Sequence, residues 1–428
     1  MTLVTAMVAS AAVPEYFGQK RLSETTRVPI RDEYVPQPAA PVSLTTELSP
    51  NEAATPLLPE GMEAGDVESG PLEPAKRRWT LSMEGRFIWD DNIYLSGQGQ
   101  KESDFVFLIA PALTWRHGDT AAKKDSYATA VYSPSASIFL DHSGENSVDH
   151  TARIEAQKRF GKLTLGGGAV YQRLSGATPE LSDRVDRDEA GAKLHLGYDL
   201  SSRTGLETSL SAHSVNYRES TFADFDEWVS ETYAGYALSG RTRVSAGGAF
   251  GRMDVKGSDS QEFQRVLVKA TVDAGGKLTL DAKGGFEFRH TGAGDSDTPV
   301  FHVSAEYRPT GRTALVASAY REVTASGSVD NENLTRTGGS LKVVQKLGSR
   351  LTAAAEAGYE EMDYTPTESG AAASGREDEY FFIRPSLRYE FQQGRRAEIY
   401  YSCREDDSSL SEFDFTANQA GIAIGFDF

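Results

Sequence analysis

The chain has 428 residues, a formal net charge of -18, a mean hydropathy of -0.44 and 39% hydrophobic residues. Such acidity speaks against nucleic acid or an anionic membrane surface as a partner, because the phosphate term is repulsive. No apolar run long enough for a spanning helix follows the extreme N-terminus, which excludes a helical membrane protein, and 18 Tyr with 20 Phe are too many for a disordered chain.

Residues Met1 to Val13 read as the apolar core and small-residue end of a secretory signal peptide that lacks its charged leader, with Ala9-Ser10-Ala11 as the cleavage site; an apolar tail is the alternative. Ten of the 17 prolines lie between Pro14 and Pro74, among Glu, Ser and Thr. Such a stretch buries too little apolar surface to offset its ordering entropy. Residues 14–78 are therefore expected to be a disordered linker in the periplasm.

From Trp79 to Phe428 the texture is uniform: short alternating stretches, glycine-bearing turns and no amphipathic helical pattern. Tight turns such as Arg159-Phe160-Gly161-Lys162, Ser239-Gly240-Arg241-Thr242, Thr310-Gly311-Arg312-Thr313 and Gly348-Ser349-Arg350 recur. Their spacing of roughly forty residues is that of two strands and a second connection. The second connections read as longer and more acidic: Asp91 to Glu102, Asp141 to Ser147, Gly176 to Asp188, Thr291 to Asp297 and Thr365 to Glu379. Short turns at one rim and long loops at the other predict an all-β fold, a transmembrane antiparallel up-and-down β-barrel of about 18 strands (16 to 20) over residues 79–428, in the outer membrane of a Gram-negative bacterium.

Alternation assigns the faces. Phe105, Phe107, Ile109, Pro111, Leu113 and Trp115 form one apolar row, Leu278, Leu280, Ala282, Gly284, Phe286 and Phe288 another, and Phe381, Ile383, Pro385, Leu387, Tyr389 and Phe391 a third. Phe105 to Trp115 is ten residues, about 33 Å of strand, or roughly 23 Å of height at a tilt near 45°. The residues between these rows should face a lumen. The expected pore-lining set is Arg153, Glu155, Lys193, His195, Glu207, Lys283, Glu287, Arg289, Glu306, Arg308, Arg384, Arg388, Glu390, Glu398 and Arg404. Eighteen strands leave an aqueous channel. Aromatics assigned to the headgroup level include Trp115, Phe160, Tyr198, Tyr236, Tyr307 and Tyr389 near the short turns, and Trp89, Tyr171, Tyr217, Phe250, Phe263, Phe288 and Tyr359 near the long loops. Pro111, Pro134 and Pro385 fall inside strands, where bulges or early strand ends are expected.

Ile422, Ile424, Phe426 and Phe428 occupy alternate positions and end on Phe, which resembles the signal by which the outer-membrane barrel assembly machinery recognises its substrates. The single cysteine, Cys403, can form no intramolecular disulfide, and no Cys or His cluster has metal-ligand spacing, so neither a metal nor a cofactor is expected. No nucleophile, His and acid trio stands out, and enzymatic activity is not expected.

Trp89-Asp90-Asp91-Asn92-Ile93-Tyr94-Leu95-Ser96, followed by Lys101-Glu102-Ser103-Asp104-Phe105 and Ile109-Ala110-Pro111, resembles the opening of the β-barrel porin 2 family, more loosely through Tyr132-Ser133-Pro134 and Asn146 to His150. The resemblance implies a channel for exopolysaccharide working with a periplasmic polysaccharide-export protein. Asp90-Asp91-Asn92 itself has two readings: carboxylates holding Ca²⁺ or bridging to lipopolysaccharide, or a turn begun by Asp and Asn side chains. A diffusion porin for small solutes would show the same charged lining, and a structural or adhesive barrel is a third reading. The partners expected are outer-membrane lipid, lipopolysaccharide, the assembly machinery, and, under the export reading, polysaccharide and its export protein. Deleting Phe428 is expected to slow assembly and lower the heat-modifiable folded band on a gel, and unchanged assembly would show the terminal pattern to be accidental.

Overall fold

The computed structural model describes residues 78–428 apart from 98, 119–125, 220–221, 328–331, 370–373 and 392–393. The signal-peptide and linker readings of residues 1–77 lie outside the described residues. Eighteen strands follow in order: β1 (Trp79–Asp90), β2 (Asp104–Gly118), β3 (Ser126–Phe139), β4 (Ser147–Phe160), β5 (Leu163–Thr178) and β6 (Asp183–Asp199). Then come β7 (Thr204–Tyr217), β8 (Phe225–Ser239), β9 (Thr242–Val255), β10 (Gln261–Ala274), β11 (Leu278–Thr291) and β12 (Gly294–Thr310). The last six are β13 (Thr313–Ala325), β14 (Glu332–Lys346), β15 (Leu351–Pro366), β16 (Glu377–Glu390), β17 (Arg395–Ser408) and β18 (Phe415–Asp427). Each strand pairs antiparallel with its sequence neighbours, and β18 returns to β1 from Ser82 opposite Asp427 to Asp90 opposite Gln419. The sheet is thereby a closed barrel of 18 strands with no free edge.

Period two in the sequence becomes two faces. On β1, Leu81, Met83, Phe87 and Trp89 are exposed while Ser82, Glu84, Arg86 and Asp90 are buried. The same outward belt runs through Leu113, Ile154, Leu194, Val266, Phe286, Ile383, Ile399 and Ile422. A continuous apolar surface of this extent would drive aggregation in water. Around a closed barrel it is the surface that lipid covers, so the fold is a transmembrane one.

Beyond the belt on the long-loop side the polarity inverts. Met253 and Val255 on β9, Phe263 on β10, Met362 and Tyr364 on β15, and Tyr380 on β16 point inward and are buried. Their neighbours Arg252, Asp254, Glu262, Glu361, Asp363 and Glu379 face out. The strands there have left the hydrocarbon, with water outside and packed loops inside. Two expectations are corrected on this account. Tyr217 and Phe263 are interior residues, Phe263 at 1% exposure, and not headgroup aromatics. Gly176 to Asp188 and Thr291 to Asp297 are mostly strand, with only residues 179–182 and 292–293 connecting.

The prolines cause neither bulges nor early ends. Pro111 and Pro134 lie directly opposite one another, in a gap where the β2–β3 ladder lapses between Ile109 opposite Ala136 and Leu113 opposite Tyr132 with its register unchanged. The two missing N–H donors fall on one pair, and the Ser133 hydroxyl donates to the Pro111 carbonyl at 3.3 Å. Pro385 lies in a similar gap between β16 and β17. The register shifts are at Ala237/Ser239 and Tyr307/Thr310, beside short turns.

The closing seam depends on small side chains inside β18. A Cβ at Gly421 would enter the Tyr400 ring, and one at Gly425 would enter the Arg396 guanidinium. Those two β17 side chains therefore lie flat across β18, and Arg396 reaches Glu84 on β1 at 3.3 Å. Val268 is exposed on the outward face of β10 between Ala246 and Gly284, half-way between the short-turn end and the long-loop end of the apolar row. Val268→Arg is expected to cost about 2–4 kcal/mol near the bilayer midplane, measured by urea unfolding in lipid vesicles. A cost near zero would mean that this row faces water.

Candidate functional site: a polar vestibule under an interlocked cap

All fifteen residues expected to line the lumen lie on the inward face of their strands. They seldom stand alone. Glu287 takes Arg265 and Arg289, each at 2.7 Å; Arg388 pairs with Glu398 at 2.8 Å; Arg243 and Lys283 reach Glu207 and Glu231 at 3.4 Å; Arg308 pairs with Glu306. Arg384 stacks 4.9 Å from the Tyr400 ring centroid, and Tyr127 donates to Glu155. Glu390 stands opposite Arg396, and Arg404 opposite Phe382. Arg153, Lys193 and His195 lie inside β4 and β6. Ile422, Ile424, Phe426 and Phe428 are exposed on the outside, where the Phe428 N–H donates to Leu81 at 2.9 Å.

Exposure varies along the barrel axis. On β11 to β16 the inward residues nearer the short turns, among them Lys283, Glu306, Arg308, Lys342, Glu356 and Arg388, are partly exposed. Those nearer the long loops, such as Glu287, Arg289, Tyr320, Glu360 and Asp378, are buried. On β17, β18, β1 and β2 burial extends along nearly the whole wall. The described interior is thus a polar vestibule that opens toward the short turns and is filled toward the long loops, so the aqueous channel expected from strand number does not run open from rim to rim through the described residues.

The filling is a cap of inward-folded connections. Arg376, in the β15–β16 loop, is fully buried. Its Nε donates to both Asp378 oxygens at 3.0 and 2.9 Å, and its other nitrogens reach Asp378 at 2.7 Å and the Glu180 carbonyl of the β5–β6 turn at 2.8 Å. The guanidinium also lies 3.5 Å from the centroid of Phe413, in the β17–β18 loop, and 4.6 Å from that of Tyr364. Burial opposes the Arg376 charge, and the facing Tyr364, Asp378 and Glu180 outweigh it and raise its pKa. The Glu180 carboxylate in turn accepts the Gly327 N–H at 2.6 Å and the Ser326 hydroxyl at 3.1 Å from the β13–β14 loop. Glu332 accepts the Ser374 N–H and hydroxyl, both at 2.7 Å. In an 18-strand ring the β5–β6 and β13–β14 connections lie on opposite sides, so these bonds span the mouth. Beneath them Leu95, Ala177, Leu334, Met362, Tyr364, Tyr380, Phe415 and Ala417 form one apolar cluster.

The first long loop joins this cap. Asp90 accepts the Asn92 N–H at 2.8 Å and Gln419 Nε2 at 2.6 Å, and Asp91 accepts the Asn418 N–H at 2.6 Å and its side-chain amide at 2.8 Å. These carboxylates fasten a turn across the seam. The bond from the Asn92 N–H to the Asp90 side chain is the one the turn reading describes. Arg376, Glu180, Tyr364 and Phe413 were not among the expected site residues; a loop arginine beside acidic residues looks in sequence like a solvated one.

No family model matches the chain, and no curated protein matches it. Among solved structures it is similar to the outer membrane protein OpdK of Pseudomonas aeruginosa, at 12% identity over 82% of this chain and 98% of that one, with a TM-score of 0.39. It is similar also to OccK11 (OpdR) of the same organism, at 14% identity over 82% and 95% with a TM-score of 0.41. A third is OccAB3 of Acinetobacter baumannii, at 11% identity over 82% and 99% with a TM-score of 0.42.

A second fastening in the cap is titratable. His142 lies between Asp104, at 2.9 Å, and Glu102, at 2.7 Å. Asp104 also accepts the N–H groups of Leu140, Asp141 and His142. The hydrogen bond to Asp104 raises the His142 pKa, burial opposes it, and the hydrogen bond to Glu102 adds to the rise. A raised folded-state pKa contributes stability that is fully present below the unfolded value of about 6.5 and is lost as pH rises through the folded value. Amide protection factors at Leu140 to His142 should fall as pH rises through that window, and His142→Gln should remove the dependence.

Proposed function

We propose that the protein is an outer-membrane channel for small polar solutes, closed at rest by its own long loops. The carrying observation is the contrast inside the barrel: partly exposed paired charges such as Lys283, Arg308 and Arg388 on the short-turn side, and the fully buried Arg376 fastening three loops at the other end. A charged, wet vestibule suits hydrated solutes. β1 starts at the short-turn rim, and we assign that rim to the periplasm. Export of an extended polysaccharide calls for a continuous wide bore, and the packed mouth weighs against that reading.

The test is electrical and osmotic. Wild-type barrels in a planar bilayer should be mostly closed, and Arg376→Ala, which leaves the Asp378 carboxylate buried without its partner in the closed state and uncouples three loops, should raise the open fraction several-fold. Liposomes holding the variant should swell in monosaccharides and not in long dextrans. If neither protein conducts, the barrel is structural; passage of dextrans would favour the polymer reading.

A further inference from the structure

The net charge of -18 conceals a segregation of sign between the two rims. The long-loop rim is acidic on its outer surface, with Asp254, Glu262, Glu361, Glu377, Glu379, Glu405 and Asp407. The short-turn rim is basic: Lys162, Arg203, Arg241, Lys277, Arg312 and Arg350 occupy six successive short connections, and all six are exposed. Described carboxylates at this rim are few, and Glu390, an exposed one, stands opposite Arg396. Asp199 pairs with Arg159 at 3.2 Å, Asp427 with Arg396 at 3.3 Å, and Asp273 accepts the Gly276 N–H at 3.2 Å. Arg203, Arg241, Lys277, Arg312 and Arg350 make no ion pair among the described residues.

Their depth is fixed by the residues just before them. Phe160, Tyr198, Tyr236 and Tyr307 are exposed at 52%, 42%, 44% and 44% shortly before Lys162, Arg203, Arg241 and Arg312, and exposed Leu200, Leu238 and Leu347 stand three residues before Arg203, Arg241 and Arg350. An outward apolar group followed within a few residues by a cation places the one in the hydrocarbon margin and the other at the headgroups. Cations at that level attract anionic lipid over a Debye length.

We infer that the ring of Lys162, Arg203, Arg241, Lys277, Arg312 and Arg350 at the short-turn rim is a docking surface for the phosphate groups of anionic phospholipids in the adjoining leaflet. The expectation that acidity excludes an anionic membrane partner holds for the chain average and not for this rim. The inference rests on the transmembrane fold and is independent of what the channel carries.

The probe is spin-labelled phosphatidylglycerol compared with spin-labelled phosphatidylcholine, with the full chain refolded in phosphatidylcholine vesicles. The fraction of each lipid held motionally restricted gives a relative association constant. Wild type should prefer phosphatidylglycerol several-fold, and the preference should decline as salt is raised. Joint replacement of Arg203, Arg241, Lys277, Arg312 and Arg350 by Gln should bring it close to one, with circular dichroism and heat-modifiability unchanged, while Arg→Lys replacement of the four arginines should keep it. A wild type without preference overturns the inference, as would a preference indifferent to salt or one retained by the Gln variant. The salt series needs no variant, so a folding defect in the Gln protein would leave the inference open to refutation.

Discussion

Hydrocarbon offers a peptide group no partner, so every backbone N–H and C=O inside the bilayer must find one within the protein. The return of β18 to β1 answers that demand, and much of the remaining design follows from it. The seam is made of small inward residues on β18, which lets Arg396 cross to Glu84 and tie the first strand to the second-last. The same demand governs the prolines. Pro111 and Pro134 face one another and lose both donors at one rung, where the Ser133 hydroxyl donates to the Pro111 carbonyl, and Pro385 opens a like gap on β16.

Whatever depends on period two could be read directly from the chain. The rows from Phe105 to Trp115 and from Leu278 to Phe288 alternate cleanly because lipid lies on one side and water or paired charge on the other. The reading failed where the environments exchange places. Past the belt, Phe263, Met362 and Tyr380 turn inward to a dry cap while Glu262, Glu361 and Glu379 turn outward to water. In sequence that inversion looks like an irregular acidic loop, which is why Gly176 to Asp188 lost most of its strand. The cap was illegible for a further reason. Its contacts join residues as far apart as Glu180 and Arg376, or Ser182 and Phe413, and no local pattern encodes them.

Charges are plentiful inside the barrel, and pairing decides what they do. Arg265, Arg289 and Glu287 on β10 and β11 form a compact triad whose members satisfy one another. Arg289 extends it through Gln261 at 2.9 Å to Asn333 on β14, a bond of 2.8 Å across the interior. A buried pair of this kind contributes little net stability compared with an apolar pair of the same shape, yet breaking it is costly. Such networks hold geometry. They keep guanidinium groups against the wall and out of the vestibule.

The cap and the barrel draw their stability from different sources. Strand ladders run the full circumference and fail together, whereas the loops meet through a handful of contacts and can open locally. Opening would expose the apolar cluster of Leu95, Leu334, Met362, Tyr380 and Phe415 to water. At about 25 cal/mol per Å² of apolar surface, that exposure is the main force keeping the mouth shut. The Arg376 ion pair acts otherwise, since its charges would regain solvation as they part and offset the lost attraction. The apolar cluster therefore sets how strongly the closed state is favoured, and Arg376, touching Glu180, Phe413 and Asp378 at once, sets which loops must move together.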